Sequence, residues 1–189
     1  MSRIRAATPE DAAAIAGIYR YYVENTVISF EETAPDADQL AARMLAEPRL
    51  PWLVVEIDGA VAGYAYASRH RARDAYRWAA DCSIYLSPGI QRGGWGRRLY
   101  TELVDLLRTL NYTAAFAGVT LPNPASERLH EVMGFQPVGV YRGVGYKAAR
   151  WWDVGWWQLD LSPERPARPA APLAWQPSTD HQPTHTPST

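Results

Sequence analysis

Residues 91 to 96 read Gln91-Arg92-Gly93-Gly94-Trp95-Gly96, a glycine-rich loop between a strand-like run and a helix-like pattern. Glycines allow a backbone to bring its N–H groups against a pyrophosphate, and the start of the following helix adds the positive end of its dipole. Phosphate binding is the chemistry this spacing suits. An ordinary tight turn with helix-packing glycines is the other reading of the same six residues. A dinucleotide fold would carry its glycines after the first strand with an acidic residue about 20 positions on, and a P-loop would continue Gly-Lys-Ser/Thr. The sequence has neither. Upstream, the stretch 69–77 is crowded with arginine, at Arg69, Arg71, Arg73 and Arg77.

The elements that position these residues are expected as alternating helices and strands. A short strand at 4–6 precedes Thr8-Pro9-Glu10, which supplies an N-cap, a first-turn proline and a carboxylate suited to the dipole. Ala14, Ile15, Ile18 and Tyr22 then share a helical face, which decays at Glu24-Asn25-Thr26. Residues 27–32 form an extended or looped segment carrying Phe30, and a helix fits 37–46, closed by Pro48 and Pro51. Strands at 52–57 and 61–68 flank Asp58-Gly59, a hairpin signal because both residues tolerate positive φ. A strand at 78–86 leads into the glycine loop. Leu99, Leu103, Leu106, Leu107 and Leu110 line one face of a helix over 97–110, with Asn111 as its stop. A strand at 113–119, a helix at 126–133 closed by Gly134, and strands at 136–142 and 151–161 follow. From position 163 proline, serine and threonine become dense, so the domain is expected over 1–162, and 165–189 reads as a disordered tail.

Composition narrows the function classes. The 189 residues are 47% hydrophobic, enough for one α/β domain with its own core. Its one cysteine, Cys82, lies in an apolar run as a small hydrophobe, and one Cys forms neither a disulfide nor a zinc cage. With 19 basic and 20 acidic residues the net charge is -1, which provides no electrostatic footprint for nucleic acid or an anionic membrane. A small-molecule partner is expected. The first residues lack an apolar signal core and no run is long enough to span a bilayer, so the expected location is the cytoplasm.

The pattern Gln91-x-x-Gly94-x-Gly96 resembles the coenzyme-binding signature of the GNAT superfamily of N-acetyltransferases. Asn123, Ser126, Leu129-His130 and Gly134-Phe135 resemble that superfamily's later coenzyme-facing motif. A closer resemblance, to the phosphinothricin N-acetyltransferase family, rests on four segments. They are the string from Tyr22 to Glu31, Ala75-Tyr76-Arg77-Trp78, Leu121-Pro122-Asn123-Pro124-Ala125-Ser126, and Gly145-Tyr146-Lys147 through Gly155. The resemblance implies a GNAT fold of the α+β type, a mixed central sheet flanked by helices with splayed central strands. It also implies acetyl-CoA as co-substrate without a metal, a small amine such as phosphinothricin or methionine sulfoximine as acceptor, and a homodimer.

Site residues follow from the same resemblance. Attack on a thioester requires a neutral amine, whereas an α-amine of pKa about 8 is mostly protonated at pH 7. The family places a carboxylate in the strand after the Tyr-x-Trp segment, here Asp81, where Glu is usual. One methylene shorter, Asp81 can act through a bridging water, act more weakly, or serve as an ordinary strand-edge carboxylate. His130 stands where family members carry a His, able to take the amine proton or to protonate the departing thiolate. His70, within the arginine loop, and His181 and His185, in the tail, offer less. Phe30, Arg71, Arg73, Tyr76 and Arg77 are the candidate acceptor-binding residues, since arginine grips carboxylates in bidentate fashion. Arg77 reads equally as a solvated loop residue. For the coenzyme the candidates are Ile84, Tyr85 and Leu86 by their backbone, Gln91, Arg92, Gly93, Gly94, Trp95, Gly96 and Arg97 in the loop and helix start, and Asn123 and Ser126. A backbone N–H in the splay would polarise the thioester carbonyl. Trp151, Trp152, Trp156 and Trp157 are expected as core or dimer-interface packing rather than a ligand box. Two alternatives stay open, an acetyltransferase for a polyamine or protein N-terminus, and a coenzyme-A-binding sensor without catalysis.

Overall fold

A computed structural model describes residues 2–90 and 93–177. Seven strands and four helices alternate in the order β1 (Ser2–Ala6), α1 (Ala12–Asn25), α2 (Ala37–Met44), β2 (Trp52–Ile57), β3 (Ala60–Arg69), β4 (Ala79–Leu86), α3 (Trp95–Thr109), β5 (Ala114–Leu121), α4 (Pro124–Val132), β6 (Gln136–Lys147) and β7 (Arg150–Asp160). One sheet holds all seven in the order β1-β2-β3-β4-β5-β7-β6. Every neighbour pair is antiparallel except β4 and β5, which are parallel. This is the mixed, helix-flanked sheet expected from the sequence.

Side-chain alternation along β4 sends Tyr85 to one face and Ile84 and Leu86 to the other. Helix α1 packs on the first face, its Tyr19 and Tyr22 rings meeting Tyr85 edge-on at 4.9 and 5.1 Å. Helix α3 packs on the second, where Leu99, Tyr100, Leu103 and Leu107 are fully buried and Gly96 approaches Leu86 and Ile84. Helix α2 is held by a reciprocal cap, Gln39 N–H donating to Asp36 Oδ1 at 2.8 Å while Asp36 N–H donates to Gln39 Oε1 at 3.0 Å.

The sequence of β1 is tied to the start of α1 by charge. Arg5 donates through both terminal nitrogens to Asp11, at 2.7 and 2.8 Å, and through Nε to Glu56 at 3.0 Å. Burial alone would raise the Asp11 pKa, but Arg5 and the Thr8 backbone outweigh it and hold the carboxyl below its ordinary value. A carboxyl with a depressed folded-state pKa contributes stability above its unfolded pKa of about 3.9, and that contribution is lost as pH falls through the folded value. Asp11→Ala is therefore expected to cost about 2–3 kcal/mol at pH 7, because it leaves a half-buried guanidinium short of its partner. Urea unfolding at pH 7 and pH 3 checks this, the penalty shrinking at the lower pH.

Turns largely follow their residue chemistry. Asp58 and Gly59 take positive φ in the β2–β3 hairpin, and Asn111 takes φ 66 at the end of α3. The β6–β7 hairpin does not follow such signals. It turns on Ala148 and Ala149 at φ 52 and 59, and β6 runs five residues past the end expected at 142, to Lys147.

The proline-rich segment after Leu161 is irregular, as its composition dictates, yet through residue 177 it is laid along the domain. Trp78 Nε1 donates to the Ala170 carbonyl at 2.7 Å, Leu173 N–H to Leu110 at 3.0 Å and Trp175 N–H to Arg49 at 2.9 Å. Trp175 is buried and borders one cavity with Leu53 and Leu110. Two aromatic anchors thus fix a stretch whose composition alone reads as disordered.

Candidate active site

The pairing of β4 with β5 covers three residues, Ala79 with Ala114, Ala80 with Ala115 and Asp81 with Phe116. Beyond Asp81 the two strands part, β4 remaining paired to β3 and β5 to β7. The resulting wedge is lined by Cys82, Ser83, Ile84, Tyr85, Gly118, Val119 and Thr120, and is closed on the α4 side by Asn123, Ser126 and His130. Main-chain groups on its two edges lack a strand partner across the gap, which makes the wedge a receptor for an extended chain bearing amide groups.

At the mouth of the wedge stands the N-terminus of α3. Gly94 at φ 72 is its N-cap and provides no capping side chain, so among the described residues no side chain caps the helix's first N–H groups. Trp95, expected within the loop, is the first helical residue, and Arg98 lies over its ring at 4.7 Å. A Cβ at Gly96 would stand 3.6 Å from Leu86 and from Leu129, so the bare glycine lets α3 and α4 sit close to β4. Arg97 is exposed on the first turn of the helix. Gln91 and Arg92 lie outside the described residues.

Asp81 is at the apex, and its Oδ1 accepts a hydrogen bond from His70 Nδ1 at 2.6 Å. Burial pushes the Asp81 carboxyl up from the ordinary carboxylate range, opposed by the hydrogen bond from His70 and the charge of Arg71. The His70 ring is stacked on Phe116 at 4.3 Å and meets the edges of Trp156 at 6.1 Å and Tyr76 at 6.2 Å. Trp156 lies over Gly118, where any Cβ would come within 3.2 Å of the indole. Arg71 faces Trp156 from 5.8 Å. His70, Tyr76 and Phe116 also line a cleft of about 360 Å³ shared with Gln158 and Arg165.

The other expected site residues are placed variously. Phe30 rests against Gly145 of β6, a contact that no side chain at 145 permits, since a Cβ there would be 2.2 Å from the ring. Its segment is fixed by Lys147, whose Nζ donates to the Val23, Ser29 and Glu31 carbonyls at 2.7, 2.7 and 3.1 Å. Arg73 is exposed at the start of the 3₁₀ turn Asp74–Tyr76. Arg77 turns to Trp78, its guanidinium 4.0 Å from that ring, so it is not among the groups gathered around Asp81. Asn123 caps α4, its side chain accepting from Ser126 N–H at 3.2 Å. His130 lines the wedge but has both nitrogens engaged, Nδ1 with the Ser126 carbonyl at 2.7 Å and Nε2 with the Tyr100 hydroxyl at 3.0 Å. Burial lowers its pKa, so the ring is held neutral.

Two members of the constellation were not singled out by the sequence. His70 reads in the sequence as a loop residue, although its position next to a strand is a usable signal. With β3 and β4 antiparallel and Ser68 opposite Asp81, the residue two beyond Ser68 can fold back over that carboxylate. Trp156 was grouped with its tryptophan neighbours, which the structure separates. Trp157 is in the core, Trp152 donates to the Lys147 carbonyl at 2.9 Å, Trp151 is exposed, and Trp156 floors the site.

A parallel pair that splays beyond three residues, with an uncapped helix N-terminus at its mouth, defines a fold class that comparison with known proteins makes specific. Residues 4–156 match the acetyltransferase (GNAT) domain, and the chain belongs to the GNAT acetyltransferase family. It is 40% identical over 172 residues to the phosphinothricin N-acetyltransferase of Streptomyces viridochromogenes, covering 90% of this chain and 93% of that one. It is 36% identical over 160 residues to the L-methionine sulfoximine/L-methionine sulfone acetyltransferase of Salmonella typhimurium, covering 84% and 94%. Among solved structures, a GNAT superfamily phosphinothricin acetyltransferase from Sinorhizobium meliloti in complex with acetyl-CoA superposes with a TM-score of 0.79 at 35% identity, over 94% of each chain.

Proposed function

We propose that the protein transfers an acetyl group from acetyl-CoA to the α-amine of a small anionic amino-acid analogue such as phosphinothricin or methionine sulfoximine. The observation that carries this reading is the wedge between β4 and β5, with an uncapped helix start at its mouth and a partly buried carboxylate at its apex. The pantetheine arm would lie along the backbone of Ile84, Tyr85 and Leu86. The pyrophosphate would be held by Gln91 to Arg97, chiefly through the first N–H groups of α3. Asn123 and Ser126 would border the thioester end. Among the described residues no three His, Cys, Asp or Glu side chains converge as a metal cluster, and the proposed chemistry requires no metal.

On the acceptor side, Phe30, Tyr76 and Arg71 would orient the amino acid, with Arg73 and Arg77 supplying outer positive charge for its second anionic group. Asp81 would supply the carboxylate of the base that draws a proton from the amine. For His130 the proposed part is to hold Tyr100 and the first turns of α4, because the N–H and the lone pair of its neutral ring are both taken up in hydrogen bonds within the protein. The arginines around the acceptor side also argue against a polyamine, which would call for carboxylates.

The assembly we propose is a cytoplasmic homodimer. Its support is β6 at the sheet edge, which together with the β7 start exposes Val138, Val140, Tyr141, Val144, Tyr146 and Trp151, an apolar edge of the kind a partner chain covers. Among the described residues no helix is long and apolar enough to cross a membrane. The test of function is thiol release from acetyl-CoA with phosphinothricin, methionine sulfoximine, methionine sulfone and ordinary amino acids. Turnover highest with the analogues is expected. Coenzyme binding without turnover on any amine would leave the sensor reading standing instead.

A further inference from the structure

We infer that His70 is a further catalytic residue, the direct acceptor of the amine proton, working as a dyad with Asp81; this rests on the acetyl-transfer reading above. Asp81 stands at the end of the β4–β5 pairing, where a base is needed, but its side chain is short. The structure places an imidazole against that short carboxylate, at 2.6 Å from Nδ1 to Oδ1. A carboxylate accepting from Nδ1–H fixes the tautomer and leaves the lone pair on Nε2. That nitrogen has no hydrogen-bond partner among the described residues, while the ring as a whole is 90% enclosed.

The setting is that of a positioned base rather than a packed surface histidine. Phe116 holds the ring by its face and Trp156 by its edge, and Trp156 is the same residue that floors the wedge at Gly118. The ring therefore stands between the wedge and the cleft lined by Tyr76, Gln158 and Arg165. The charged and titratable groups that face it are Asp81 from β4, Tyr76 from the 3₁₀ turn, Arg71 from its own loop and Arg165, paired with Asp160, from the segment after β7. Phe116 and Trp156 bring no charge. Among the described residues the one anion in contact with the imidazole is thus Asp81, which stabilises the imidazolium once formed.

In the proposed step the substrate ammonium gives one proton to Nε2. The freed nitrogen lone pair forms the C–N bond to the acetyl carbon, the C–S bond breaks with its electron pair passing to sulfur, and a second proton from nitrogen ends on that sulfur. The imidazolium then releases its proton to solvent. The products are the N-acetyl compound, free thiol and one proton.

His70→Asn separates this role from simple support of Asp81, because the asparagine amide can still donate to the carboxylate from the position of Nδ1 but offers no base beyond it. The expected result is a fall in kcat of about 100-fold or more, with the KM for acetyl-CoA kept, against the range general-base catalysis covers. The pH profile of kcat/KM should change shape with it, because in the wild type the dyad and not the substrate amine alone sets that profile. Nitrogen-15 NMR of labelled histidine should place the His70 proton on Nδ1 in the wild type and alter that signal in Asp81→Asn. An active wild type with His70→Asn within three-fold of it, or a His70 proton found on Nε2, overturns the dyad while leaving acetyl transfer intact. A wild type inactive on every amine overturns the acetyl-transfer reading, and the proton-acceptor role with it.

Discussion

Asp81→Asn is expected to lower kcat/KM for the amine by about 10²- to 10⁴-fold, the range that loss of a positioned general base produces. Asparagine keeps the size and planarity of the side chain, so packing at the apex of the wedge is preserved and acetyl-CoA binding should be unchanged. What is lost is the negative charge. In the wild type, burial raises the Asp81 pKa while His70 and Arg71 oppose that rise. A base with a raised pKa is active above that value, so activity should decline as pH falls through it, and the asparagine variant should lack this acid limb. Stopped-flow or plate-based thiol release from pH 5 to 9, with coenzyme affinity measured by calorimetry, reads both quantities. Equal rates in the two proteins would remove Asp81 from the mechanism, whether it acts alone or through the imidazole beside it.

The fold was more legible in the sequence than the site. Strands and helices declared themselves wherever a side-chain period met a matching terminator, as at Asp58-Gly59 and Asn111, both realised with positive φ. The hairpin on Ala148-Ala149 was not, because alanine in the left-handed region costs roughly 1–2 kcal/mol per residue and carries no turn signature. Strand pairing over the whole length of β7 and the bond from Trp152 to Lys147 fix that turn instead, and these are tertiary terms. For the site, the glycine pattern and Asp81 could be found because a motif has a fixed spacing along the chain. The contact between His70 and Asp81 depends on the register of β3 against β4, and the nearness of Trp156 to both depends on β7 pairing with β5. Periodicity says which residues are buried but not which strands are neighbours. The same limit explains Trp175, whose buried place is tied to a segment far back in the chain by the bond from its N–H to the Arg49 carbonyl.

The helix start at the mouth of the wedge leads to the second large effect, a rise of about 10- to 100-fold in the KM for acetyl-CoA in Gly94→Val. Among the described residues a Cβ at Gly94 meets no atom within 4 Å apart from its chain neighbours, so the native fold has room for a side chain there. The backbone does not, since φ 72 is strongly disfavoured for a β-branched residue, and relief of that strain moves the first N–H groups of α3. Those donors are the ones available to a pyrophosphate. Loss or displacement of a hydrogen bond to a charged group is worth about 1.5–3 kcal/mol, which is one to two powers of ten in affinity. The side chain would also occupy the open space in front of the helix, where the phosphates are proposed to lie. Gly17→Ala is the matching control, because its Cβ likewise meets nothing within 4 Å but sits in the middle of α1. That change should add about 0.5–1 kcal/mol of stability and leave both kinetic constants alone. If Gly94→Val binds acetyl-CoA as tightly as the wild type, the coenzyme's phosphates are held elsewhere, and the helix start is only a turn.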